Sequence, residues 1–330
     1  MAFRATQILK QSLKLRPAFE LALRSSCLQL VLARWGLETA ALMGLRGEQT
    51  ANDDDRKARA VEAITSALYE SGLDDHATDA EKTMLDKPYR SWEYNDYVYG
   101  DHWESLGVLQ WLLGRQHTIP AYYSNFDRAR LFQNSGILPA DPSTIEKFVD
   151  SFMSSQIHQT FDHQQLQHAV DVSEAWMWRA RAQVLLGLRD EIVKADQKNE
   201  QENTPLEAAL RARHIPHSLR KMTADLPKTI PLAAQQAFDK GILAELEGND
   251  FAIAVEMKED SGNSSGQRKI ANVPYPNLDS DHLDSLRKIA ESRFLAFAWA
   301  LSKIDDWDVE KTSELVSINP INAIWTPDPN

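Results

Sequence analysis

The sequence predicts a mainly α-helical fold, a single multi-helix globular domain with at most a small β-hairpin near residues 251–272. Three observations point there. Apolar side chains recur three and four residues apart along most of the chain, which is the helical period. Only Phe251-Ala-Ile-Ala-Val-Glu-Met257 reads as a strand, and it runs into the turn-like Glu259-Asp-Ser-Gly-Asn-Ser-Ser-Gly266. Nine tryptophans in 330 residues supply large rings of the kind used in packing and at binding surfaces.

Along the chain, residues 1–20 form a basic amphipathic N-terminal segment: six basic residues stand against the single acid Glu20 up to Arg34, a balance of +5 that leaves −17 for the rest of a chain with net charge −12. Its start, MAFRATQILKQSLKLRP, fits a mitochondrial presequence and equally an ordinary first helix with a basic face. Pro17 opens a helix expected to stop at Trp35-Gly36. Within it Leu21–Leu32 is the most apolar stretch, but Arg24, Ser25, Ser26 and Gln29 interrupt it, and no run is long enough to cross a bilayer. Ala58, Val61, Ile64 and Leu68 mark a helix over 54–71 stopped by Gly72, and Trp103 to Leu113 a short apolar helix closed by Gly114. Asp141-Pro142 precedes Ser143 and Glu146 in capping-box spacing, with Ile145, Phe148, Val149, Phe152 and Ile157 on one face behind them. Residues 171–188, apolar nearly all round, predict a central buried helix. Residues 189–230 are polar and read as an insertion in a helical domain spanning 21–312. Helices are expected over 231–246 and 281–304, and an irregular tail over 313–330.

Composition narrows function more by exclusion than by assignment. The net acidity argues against a surface that binds nucleic acid over most of its extent. Cys27, the one cysteine, leaves no disulfide framework and no cysteine-rich zinc site, and places the chain in the mitochondrial matrix or the cytoplasm. Glycine-rich phosphate loops, H-E-x-x-H and C-x-x-C are absent, and no cofactor is implied. Gly262-Asn-Ser264-Ser-Gly266 matches a nucleophile-elbow string, yet the residues after it, QRKIANVPYPN, do not begin a helix. His158, His163 and His168 are weak metal candidates: five residues apart, successive imidazoles are turned by about 140° on a helix.

A set of tryptophan and charge motifs carries the strongest signal. Trp103 and Trp111 lie within about 80° of each other on one helix, with Glu104 beside the first. Glu174-Ala-Trp176-Met-Trp178-Arg179 repeats the combination, as does Glu291-Ser-Arg293 followed by Trp299; Asp306-Trp307-Asp308 closes the set. One account is structural, with indoles filling space between helices and arginines pairing with carboxylates. The other is a ligand cleft lined by Trp103, Glu104, Trp178, Arg179, Arg293 and Trp299.

At these residues the chain resembles an uncharacterised helical family, domain of unknown function 4272. The similar segments are Arg24-Ser-Ser-Cys-Leu28 through Gly36, Trp103 through Gly114, Ser173 through Arg181, and Val273-Pro-Tyr-Pro-Asn-Leu278 through Trp299 with Trp307-Asp308, so the resemblance covers 22–312. It departs from the family pattern at Phe294 and Ala298, where the family has His and Asn. The resemblance implies a helical domain and no particular reaction. Two roles are therefore expected: a helical interaction protein with a protein partner, such as a component of a mitochondrial assembly, or an enzyme or small-molecule binder using the acid and arginine cleft.

Overall fold

The computed structural model describes residues 13–44, 51–153, 161–202, 217–257, 269–308, 311, 312 and 315. The fold is mainly α, with one small antiparallel sheet. The helices are α1 (Ala18–Gly44), α2 (Ala51–Glu70), α3 (Asp79–Leu85), α4 (Trp103–Leu112), α5 (Arg128–Ser135), α6 (Pro142–Asp150), α7 (His163–Glu202), α8 (His217–Asp239) and α9 (Ser280–Ala300); the strands are β1 (Leu246–Glu247), β2 (Asp250–Met257) and β3 (Lys269–Pro274). These elements divide into two compact units: an N-terminal unit of Leu13–Gln165 with Glu291–Thr312, and a C-terminal unit built on Leu166–Ala290. Residues 1–12 of the basic N-terminal segment, Ile157, the histidine His158, the elbow string at 262–266 and the tail beyond 315 lie outside the described residues.

In the N-terminal unit α1 and α4 form the centre. Every residue of α4 is buried, and so is α1 from Arg24 to Leu32, which no amphipathic surface helix would allow. Gly107 on α4 marks a close approach, since a Cβ there would sit 2.2 Å from the Phe126 ring. Gly114, at φ 70°, ends the helix as expected: its N–H donates to Trp111 O at 3.0 Å and the next N–H, of Arg115, reaches back to Gln110 O at 2.8 Å. α1, by contrast, runs eight residues past the expected stop at Gly36. Tertiary contacts hold the extension, because Glu38 is buried against Arg34 at 2.7 Å and accepts the Arg90 N–H at 3.0 Å. At α6 the expected box does not form: Asp141 itself accepts the Ser143 N–H at 3.0 Å, and the Ser143 hydroxyl donates to Asp141 instead of capping.

In the C-terminal unit α7 is the central element, with residues 173–180 all buried. It continues through the polar stretch to Glu202, and side chains there, such as Asp190, Glu191 and Lys194, are exposed. α8 starts earlier and ends earlier than expected, and it runs through Pro227 and Pro231. Burial of Leu226, Ile230, Ala233, Ala234 and Ala237 carries the helix across two missing N–H donors. The freed residues after it form β1, which pairs with β2 at Leu246↔Phe251 and Glu247↔Asp250. Gly248 and Asn249, at φ 59° and 60°, make the tight turn between them. β2 then pairs with β3 from Ala252↔Pro274 to Met257↔Lys269, the anticipated hairpin with a short third strand at its edge.

Candidate functional site

Glu104 and Arg293 meet, as the sequence suggests, but they close on each other. Arg293 Nε donates to Glu104 Oε2 at 2.8 Å, Nη1 to Pro120 O at 2.7 Å and Nη2 to Ser124 O at 2.8 Å. The other carboxylate oxygen of Glu104 accepts the Phe126 N–H at 3.0 Å. Trp103 lies next to this pair in sequence and packs edge-on against Trp35 at 6.5 Å. Arg179 shows the same pattern inside the C-terminal unit. Its Nε and Nη2 donate to Asp250 at 2.7 and 2.8 Å, Nη1 donates to Gln183 at 3.1 Å, and its guanidinium lies 4.1 Å from the Tyr275 ring centroid. Trp178 is buried beside Phe251. Both arginine side chains have no exposed surface and every guanidinium nitrogen is engaged, so neither presents a free nitrogen to a ligand. His163 and His168 are exposed on α7, and among the described residues no group of three His, Cys, Asp or Glu side chains is placed to hold a metal ion.

A different part of the N-terminal unit opens into a pocket of about 1300 Å³. Of the six predicted cleft residues, Trp299 alone lines it. Its floor is an arginine from the middle of α1: Arg24, 3% exposed, places both terminal nitrogens on the Glu81 carboxylate. Glu81 is held by local structure as well, because Thr78 and Glu81 form a capping box at the start of α3, with Thr78 N–H to Glu81 Oε2 at 2.9 Å and Glu81 N–H to Thr78 Oγ1 at 3.2 Å. Burial opposes the charged form of Glu81, but the Arg24 guanidinium outweighs it and holds the carboxyl below its ordinary value.

The opposite wall comes from the end of α9. Ser302, at φ 54°, reverses the chain after Ala300, with its N–H on Trp299 O at 3.0 Å and the Lys303 N–H on Ala298 O at 2.9 Å. The reversal brings Trp307 back over Arg24, 4.4 Å from guanidinium carbon to ring centroid, and edge-on to Trp299 at 5.5 Å. Arg16 lies over Trp299 at 4.6 Å and caps the helix end, donating from Nε to Trp299 O at 2.8 Å and from Nη2 to Ile304 O at 3.0 Å. His102 sits 6.2 Å from Trp307 and 5.6 Å from Tyr99, ring to ring. Burial lowers His102 to about 4, with Arg24 adding to the effect against Glu81, and burial raises Tyr99 to about 12. Three buried atoms of this wall, Arg24 Nε, His102 Nδ1 and Trp307 Nε1, have no hydrogen-bond partner.

The sequence does not single out Arg24, Glu81, His102 and Tyr99 as site residues, although two signals exist. An arginine in the middle of Leu21–Leu32 must find a carboxylate if that stretch is buried, and Thr78-Asp-Ala-Glu81 has capping-box spacing. Comparison with family models, curated proteins and solved structures finds no match to this chain.

Proposed function

We propose that the protein binds a small organic molecule in the pocket of its N-terminal unit. One observation carries this reading: Arg24 Nε, His102 Nδ1 and Trp307 Nε1 are buried without partners on residues that line the same pocket. Each such atom costs about 1–3 kcal/mol, and here three of them are gathered on residues of one pocket, whereas others, such as Trp103 Nε1 and Arg34 Nη1, lie on residues that do not line it. Polar atoms of a bound molecule, reached after small side-chain shifts, relieve that cost. The protonation states support binding over proton transfer. A general acid or base works best with a pKa near the working pH, whereas His102 lies near 4, Tyr99 near 12 and Glu81 is held as a carboxylate. The test is a thermal-shift screen of a chemically mixed fragment set on the full chain and on Ala80→Trp, which places an indole at an exposed position on the pocket's edge. Fragments that raise the melting temperature of the parent protein and not of the variant are the expected result. A parent protein that responds to none of them, or hits that stabilise both proteins equally, overturn the reading.

A further inference from the structure

Resting on the reading of this pocket as a ligand site, we infer that its occupant is an uncharged hydrogen-bond acceptor on an apolar body, a carbonyl compound such as an amide or a ketone. Arg24 Nε and Trp307 Nε1 each carry one N–H, and neither a guanidinium nor an indole nitrogen can accept. His102 Nδ1 is a donor in one tautomer and an acceptor in the other. The three groups form one patch: the Arg24 guanidinium carbon lies 4.4 Å from the Trp307 ring centroid, and the His102 ring 6.2 Å from it. Two obligate donors in one patch call for acceptors in the occupant, and a carbonyl oxygen has two lone pairs with which to serve both. A primary amide adds N–H donors, so it can answer His102 Nδ1 in either tautomer.

Charge decides between a neutral and an ionised acceptor. Both terminal nitrogens of Arg24 are engaged by Glu81, which balances its charge. Arg16 is turned to the carbonyls of Trp299 and Ile304, and Lys82 and Lys311 sit against Asp79 and Asp306. His102, lowered to about 4 by burial, adds no positive charge at neutral pH. An anion therefore finds no lysine or arginine of the pocket without a carboxylate or carbonyl partner, while Asp75 and Asp305, exposed at the rim, oppose its entry. A cation brings further donors to a patch that lacks acceptors. Trp299 and Trp307 already hold guanidinium groups against their rings, which leaves Phe19, Leu23 and Val98 to meet the apolar body. Phe19 and Val98 are exposed large apolar side chains, as such a contact requires.

Four probes share one ring and differ in the group beside it: acetophenone, benzamide, benzoate and benzylamine. Each is titrated into the full chain while the indole N–H resonance of Trp307 is followed by NMR. Acetophenone and benzamide are expected to bind, to move that resonance, and to keep their affinity as salt is raised. Benzoate and benzylamine are expected to bind at least about tenfold more weakly. Trp307→Phe keeps an aromatic face and removes one donor. It is expected to weaken acetophenone about two- to tenfold and to leave the acceptor-free control ethylbenzene unchanged. Should that variant not fold, the movement of the Trp307 resonance in the parent protein carries the same test. Tightest binding by benzoate or benzylamine overturns the acceptor assignment while the pocket reading stands. Acetophenone binding that leaves the Trp307 resonance in place, or that Trp307→Phe weakens no more than ethylbenzene binding, overturns it as well. If no probe binds, the inference falls; the fragment screen then decides whether the pocket reading falls with it.

Discussion

The Glu104–Arg293 pair and the Arg24–Glu81 pair are built from the same side chains in the same unit, each with tryptophan nearby, and they differ in their surroundings. Around Glu104 and Arg293 the backbone supplies every remaining partner: the carbonyls of Pro120 and Ser124 and the N–H of Phe126. Around Arg24 and Glu81 the backbone supplies the Thr78 N–H and the His76 carbonyl, and the indole of Trp307 and the imidazole of His102 add a wall in which each ring carries a buried nitrogen without a partner. The first arrangement clamps a loop. The second lines a pocket. Side-chain identity does not distinguish a clamp from a pocket wall; the partners do, loop carbonyls around Arg293 and an open pocket beside Arg24.

The largest expected effect breaks the clamp. Glu104→Ala leaves Arg293 buried without a counter-charge and frees the Phe126 N–H, and is expected to cost about 3–5 kcal/mol in urea unfolding. A loss under about 1 kcal/mol would show that the loop is held by packing instead. Next comes acid. His102, near 4 when folded and 6.5 ordinarily, binds its proton more readily in the unfolded chain, so its contribution is whole above 6.5 and disappears as pH falls towards 4. Glu81, held low by Arg24, acts in the same direction below 4.5. Stability should therefore fall between pH 6.5 and 4 by at most about 1.4 kcal/mol per pH unit from this histidine, and His102→Gln should flatten that part of the profile. An unchanged slope in the variant would assign the acid sensitivity to other groups. The smallest effect concerns Trp307→Phe, which keeps an aromatic face over Arg24 and removes the partnerless N–H. Its unfolding free energy is expected to stay within about 1 kcal/mol of the parent; a larger loss would mean that this indole is structural, as in the clamp.

Local signals are legible in the sequence and distant pairings are not. The apolar run of 103–113 with Gly114 behind it states both a helix and its stop, and the structure has both. The buried stretch of α7 is foreshadowed by Ala175, Trp176 and Trp178, although Ser173, Glu174 and Arg179 are buried within it and Val184, expected in the core, is 60% exposed. Arg179, however, finds Asp250 across 71 positions, and Arg24 finds Glu81 across 57. Nothing in the spacing of either residue names its partner, because the choice is made by packing. The same reason explains α1 running past Gly36 and α8 running through two prolines: buried contacts outweigh a local breaker worth about 1–3 kcal/mol.

Glu81 does two jobs with one carboxylate, closing the first turn of α3 and neutralising Arg24 in the floor beneath it. The coupling has a dynamic consequence. A helix of seven residues at a surface normally frays and reforms independently of the rest of its domain. Here fraying of the first turn pulls the carboxylate from a buried guanidinium, so the local opening carries the penalty of a broken buried ion pair. The pocket's edge thereby inherits the rigidity of its floor.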